Sequence, residues 1–272
     1  MHALRVIYVI WLRELKAFVR EKGRIIGMIG QPLLYLLIVG QGIASGMSLN
    51  RSADFDYLKY IYPGIIGMSV LFTSIFSALS IIWDREFGFL KEVLVAPVPR
   101  SAVALGKICG GGTIAMIQSA ILIALAPFVG VTLSVLVVLQ LLLVCFLISF
   151  AVTSLGVLIA ARMRSMQGFQ MLMNFLIMPL YFLSGAMFPL VSAPRWMQVL
   201  MRINPLTYGV DALRNVIYSE TTTVVAGNAV SLVEMARQSG LIRWQLGTDL
   251  ALCTLVAGLL AGLAAYVFST AD

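Results

Sequence analysis

This sequence has little charge and almost none of the residues that do catalytic chemistry. Only 11% of its 272 residues are Asp, Glu, Lys or Arg, against about 25% in a soluble domain. The only histidine is His2, which excludes a histidine-based metal cluster. Cys109, Cys145 and Cys253 are odd in number and lie inside apolar stretches, so no disulfide framework is implied. No G-x-S-x-G, no H-E-x-x-H and no pair of acids within an apolar run occurs. The nearest approach to a nucleotide motif, Gly106-Lys107-Ile108, lacks the upstream glycine spacing and the following Ser/Thr that hold phosphate and magnesium. The chain therefore reads as a protein without an ATPase or other catalytic site of its own. No basic patch is interleaved with aromatics, so nucleic acid is not an expected partner.

What is present is apolar length. The chain is 60% hydrophobic with a mean hydropathy of +0.97. Residues 25–50, 60–83, 108–161, 165–194 and 250–271 contain no Asp, Glu, Lys or Arg. About 20 apolar residues cross a bilayer. The longest run is too long for one span, and Pro127 to Thr132 supply a turn signal near its middle. The expectation is an all-α fold, a polytopic membrane protein in one domain over 1–272. Six transmembrane helices are placed at 25–48, 60–83, 104–128, 133–160, 166–187 and 247–269. Small-residue pairs at Gly23/Gly27, Gly42/Gly46, Gly106/Gly110 and Gly258/Gly262 suit close helix packing within the bundle.

Before the first span, Leu4, Ile7, Tyr8, Trp11, Leu12, Leu15, Phe18 and Val19 recur at helical spacing, opposite Arg5, Arg13, Lys16 and Arg20. That pattern predicts an amphipathic helix over 1–22 lying in the headgroup plane and touching membrane lipid, with packing on a partner protein as the alternative. Charges spread along this segment do not read as a signal peptide. Twelve Lys and Arg fall on the side that holds the N-terminus, against seven on the other, five of these in one long segment. The positive-inside rule places both termini in the cytoplasm.

The charged segment 84–107 interrupts two apolar runs and cannot stay in lipid, because each central charge costs about 2.5–3.5 kcal/mol. It predicts a cytoplasmic helix over 84–100, with Asp84 as its cap, Phe87, Leu90 and Leu94 as an apolar anchor, and Pro97 and Pro99 as its stop. Ser101 is then a cap for the next span. On the other side, 188–245 reads as a hairpin of two short amphipathic helices, re-entrant or lying on the surface, followed by an exposed loop. Asn204 caps the second helix and Pro205 takes its first position. None of the charge-free runs offers an acid, which disfavours ion-driven transport; an ion-coupled secondary transporter or channel is the alternative function.

Together, the amphipathic start, the Asp84-Arg85-Glu86-Phe87-Gly88-Phe89-Leu90 stretch followed by Pro97-Val98-Pro99-Arg100, and Asn204-Pro205-Leu206-Thr207-Tyr208 before the last span resemble ABC type-2 exporter permeases. Within that family the look is closest to the drug-resistance and nodulation-export branch. The resemblance covers nearly the whole chain, departing from the usual pattern at Phe89 and Lys91. It implies a permease subunit in a bacterial cytoplasmic (inner) membrane, paired with a second permease copy and powered by a separate nucleotide-binding ATPase subunit that holds ATP and magnesium. The helix after span two would be the coupling helix, with Arg85, Glu86, Phe87, Gly88, Leu90 and Glu92 making or shaping the ATPase contact. Spans one, two and five would line the path, giving Gln31, Tyr35, Phe72, Phe76, Asn174 and Tyr181 as its residues. The cargo would be hydrophobic or amphipathic: a drug, a lipid or a lipid-linked glycan.

Overall fold

A computed structural model of the chain describes residues 2–40, 57–89, 98–131, 133–187, 190–219, 222–225 and 228–270. These residues are almost all helical, as an apolar chain requires where only intrahelical bonds can satisfy its backbone. Helix α1 is His2–Arg20 and α2 is Lys22–Tyr35, continued by a π turn at Leu36–Gly40. Helices α3 (Tyr57–Ser77) and α4 (Leu79–Glu86) follow one another with a single break at Ala78. Then come α5 (Arg100–Ala124), α6 (Val135–Ala160) and α7 (Met166–Phe182). The short helices α8 (Arg195–Ile203) and α9 (Pro205–Ser219) precede the strands β1 (Thr222–Val225) and β2 (Asn228–Ser231). Helices α10 (Leu232–Gln238) and α11 (Leu246–Thr270) close the described chain. Among the described residues, four stretches are long and apolar enough to cross a membrane: Ile61–Glu86, Arg100–Ala124, Val135–Ala160 and Leu246–Thr270.

Several boundaries follow local chemistry. Ser134 and Ser165 cap α6 and α7 through the N–H groups of Val137 and Gly168. The turn expected after α5 is a 3₁₀ turn at Ala126–Val129 closed by Gly130 at φ 75°, a left-handed conformation that favours glycine. Helix α5 starts at Arg100, with Pro99 rather than Ser101 in the cap position. Lys107 therefore lies two turns inside the helix.

No separate helix begins at Asp84. Residues 84–86 are the last turn of α4, so Asp84 is not a cap but a buried side chain. The segment expected to be an exposed outer loop contains the antiparallel pair β1–β2 and α10. Of the two-helix hairpin, α8 is the exposed arm, and α9 is buried along nearly its whole length.

Helix α6 sits centrally, packed against α3, α5, α9 and α11. It buries Val137, Leu141, Val144 and Ile148 and leaves Leu136, Leu139, Leu143 and Phe146 exposed, an apolar outer face suited to lipid. Helix α9 is stitched to irregular backbone by side chains. Asn204 accepts from Leu206 N–H at 3.0 Å and donates to Leu180 C=O at 2.7 Å. Asp211 accepts the backbone N–H groups of Arg243 and Trp244, at 3.1 and 3.0 Å. Arg214 donates to the carbonyls of Gly185 and Ala186 at 2.8 and 3.3 Å. Backbone that leaves the helix inside an apolar bundle needs such partners.

Candidate coupling site

The end of α4 presents two residues outward. Glu86 is exposed and Phe87 is 82% exposed. Gly88, at φ 81°, ends the helix in the left-handed conformation, with Phe87 N–H still bonded to Trp83 C=O at 2.9 Å. Arg85 turns the other way. It donates to Ala161 C=O at 2.8 Å and to Met163 C=O, carbonyls at the C-terminal end of α6 that lack helical partners. A cation there also favours the helix dipole. Trp83 Nε1 reaches Met166 Sδ at 3.0 Å, at the start of α7. Of the residues expected to contact the ATPase, the structure thus leaves Glu86 and Phe87 outward, uses Gly88 as the turn and Arg85 as an internal clamp. Leu90 and Glu92 lie outside the described residues.

Behind this tip is a buried knot of charge. Lys107 Nζ, from α5, donates to Glu14 Oε1 of α1 at 2.6 Å, to Asp84 Oδ2 of α4 at 2.5 Å and to Ser80 Oγ at 3.0 Å. All three of its N–H donors are occupied. Arg13 grips the same Asp84 with both terminal nitrogens, one of them at 3.0 Å from Oδ2, and lies 3.7 Å from the centroid of the Phe89 ring. Two cations balance two carboxylates and tie three helices together. The arrangement ties the end of α4 to α1 and α5, and Arg85 ties it to the end of α6.

Sequence patterning missed this knot. The expected spans 104–128 and 247–269 hold Lys107 and Asp249 only near their first turns, whereas the helices begin at Arg100 and Leu246 and bury both residues inside the bundle. Glu14 was assigned to no face, yet the stripe of α1 turned inward is Ile10, Glu14 and Phe18, while Leu4, Tyr8 and Val19 are exposed. One signal was available. Gly106 and Gly110 sit where a Cβ would come within 2.7 Å of the Cβ atoms of Ile10 and Glu14, so the small-residue pair allows α1 to seat on α5. The pairs Gly23/Gly27 and Gly258/Gly262 face open space, with nothing within 4 Å. Among the described residues these two pairs pack against nothing, and Gly42/Gly46 lies outside the described residues.

Three of the residues expected along the path share one cleft. Gln31 and Tyr35 of α2 and Phe72 of α3 line it, over an apolar wall that includes Met28, Ile65 and Met68. Phe76 stands one turn from Phe72, ring centroids 6.3 Å apart, but outside the cleft lining. Asn174 is exposed on α7 and Tyr181 is buried in that helix, and neither lines the cleft. Gln118 of α5, which sequence reasoning passed over, closes the back of the cleft.

The pattern of the ABC-2 type transporter family matches residues 5–218. The putative transport permease ycf38 of Cyanophora paradoxa is 30% identical over 225 residues, covering 80% of this chain and 76% of that protein. The inner membrane transport permease YadH of Escherichia coli (strain K12) is 28% identical over 211 residues, covering 75% and 80%. Nodulation protein J of Rhizobium leguminosarum bv. trifolii is 27% identical over 210 residues, covering 75% and 78%.

Proposed function

The chain belongs to the ABC-2 type transporter family, and from that premise we propose that it is the permease subunit of an ATP-driven exporter in a bacterial inner membrane. Two copies form the translocation unit, and a separate nucleotide-binding subunit supplies ATP hydrolysis. Each copy crosses the membrane six times, with α2 and α7 adding the spans that the four long apolar stretches leave out. Both termini and the tip of α4 face the cytoplasm, and α1 lies at the headgroup level with Leu4, Tyr8 and Val19 towards lipid.

The observation that carries this reading is Phe87, standing 82% exposed beside Glu86 at the end of a helix pinned by buried ion pairs. Solvated connectors do not need such anchoring. In this reading Glu86 and Phe87, with Leu90 and Glu92 beyond them, dock on the ATPase, while Arg85 and Gly88 hold their geometry. Closure of the ATPase pair pushes on the tip, and the knot of Arg13, Glu14, Asp84 and Lys107 spreads that displacement over three helices. The cargo is hydrophobic or amphipathic and moves along the cleft lined by Gln31, Tyr35 and Phe72.

The test is the pair Glu86→Ala with Phe87→Ala. Membrane abundance should stay near that of the parent, since both side chains face outward. Co-purification with the nucleotide-binding subunit and transport should fall together, because loss of an interface anchor costs above about 2 kcal/mol, roughly thirtyfold in affinity. A variant that binds the ATPase and transports like the parent would refute the coupling role.

A further inference from the structure

The cleft between α2, α3 and α5 has a polar back wall built around one missing backbone hydrogen bond in α2. Pro32 lies inside that helix, and having no N–H it cannot bond the carbonyl four residues earlier, that of Met28. The structure fills this gap from another helix: Gln118 Nε2 of α5 donates to Met28 C=O at 2.8 Å. The same amide accepts on its other side, where Thr73 Oγ1 of α3 donates to Gln118 Oε1. Gln118 is 3% exposed. A single neutral side chain therefore joins three helices at the inner end of the cleft.

Among the described residues, none that lines this cleft carries a formal charge. Its polar groups are amides and hydroxyls. Tyr35 spends its O–H on Met187 Sδ at 3.6 Å, a weak acceptor that a ligand oxygen would readily displace. An anionic or cationic headgroup entering here would meet no counter-charge and would lose its hydration, which is costly in a low-dielectric site. A neutral hydroxyl or amide has no such penalty. The amide of Gln118 has a second N–H and a second oxygen lone pair beyond those given to the Met28 carbonyl and to Thr73, which suit a hydroxyl that itself donates and accepts. The apolar wall takes the hydrocarbon part.

We propose that this cleft binds neutral, hydroxyl-bearing amphiphiles, those with a sugar-like or polyol headgroup on an apolar chain, and that Gln118 determines the preference against charged headgroups. The proposal rests on the exporter reading in naming its cargo class, but binding to the permease can be measured without any ATPase.

The experiment uses the full chain in lipid nanodiscs and three radiolabelled probes with the same chain: dodecyl glucoside, dodecyl phosphate and dodecyltrimethylammonium. The glucoside should bind saturably and at least tenfold more tightly than either ion. Gln118→Leu should weaken the glucoside about tenfold and erase the preference, while Gln118→Glu should shift it towards the ammonium probe. Phe72→Ala, on the apolar wall, should weaken all three probes alike and leave their ratios unchanged, which separates loss of fold from loss of selectivity. Equal or tighter binding of the phosphate, or a preference that survives Gln118→Leu in a monodisperse protein, overturns the proposal. Absence of saturable binding by every probe overturns it too, while co-purification with the ATPase would still stand or fall on Glu86 and Phe87.

Discussion

At the α1 end of the bundle Lys107 bonds the carboxylates of Glu14 and Asp84 from two other helices; at the α9 end Asp211, Arg214 and Asn204 bond mostly backbone groups. The two regions bury comparable polarity for different reasons. At the first, regular helices lie side by side with their own backbones satisfied, so the polar side chains are left to pair with each other. That pairing fixes which face of α1 meets α5 and how far along. At the second, the chain from Leu183 to Ala186 and again around Arg243 leaves the helical path, and side chains replace the hydrogen bonds that the backbone gave up. Ion pairs set helix position in one place; side-chain-to-backbone bonds license irregular chain in the other.

The comparison breaks most visibly at Lys107. Lys107→Met leaves Glu14 buried without its cation and Asp84 with Arg13 alone. It should cost about 3–5 kcal/mol, seen as a steep loss of apparent Tm and of membrane yield. Adding Glu14→Gln should recover part of that loss, since the uncompensated charge is removed with its partner; strictly additive losses would show that the two groups do not act as a pair. The next effect separates two close helix contacts. Gly106→Ala places a Cβ 2.7 Å from Ile10 Cβ and 3.1 Å from the Ile7 carbonyl, atoms fixed to the backbone of α1. It should cost about 1–3 kcal/mol by thermal denaturation. Gly209→Ala, in α9, meets the outer atoms of Ile148 instead, which can turn aside, so its cost should be the smaller of the two. An inverted order would mean that α1 is the looser element. The smallest change is Asn204→Ala, which removes the cap of α9 and one bond to Leu180. About 1–2 kcal/mol is expected, with α9 still helical by hydrogen exchange.

Much of the helical architecture was legible because lipid leaves the backbone few choices. The apolar runs, the turn at Pro127 to Gly130 and the Asn204-Pro205 helix start all follow from local rules, and the structure places helices, a 3₁₀ turn and a cap at those positions. The candidate site was legible only in part. Glu86 and Phe87 stand out as charge and aromaticity after an apolar run, and they are the residues turned outward. Asp84 and Arg85 carry the same local signal and turn inward, because a helix presents neighbouring residues to different sides and periodicity over one turn cannot say which side is covered. Lys107 and Asp249 stand near the starts of the expected spans, and nothing local says whether a charge there turns to water or into the bundle.

The sequence by itself determined that this is an apolar helical protein with few groups able to do chemistry, and that one short charged stretch must leave the hydrocarbon. Hydrophobic length and the distribution of Lys and Arg suffice for that, since both act on each segment independently of its neighbours. Only the tertiary structure decided that Glu14, Asp84 and Lys107 are one object, although they lie up to 93 residues apart in the chain, and that Gln118 answers the carbonyl orphaned by Pro32, 90 residues away from it. Both are pairings between helices, and a pairing has no local signature: each partner alone is an isolated polar residue, costly in an apolar surrounding until the fold brings the other within hydrogen-bond reach.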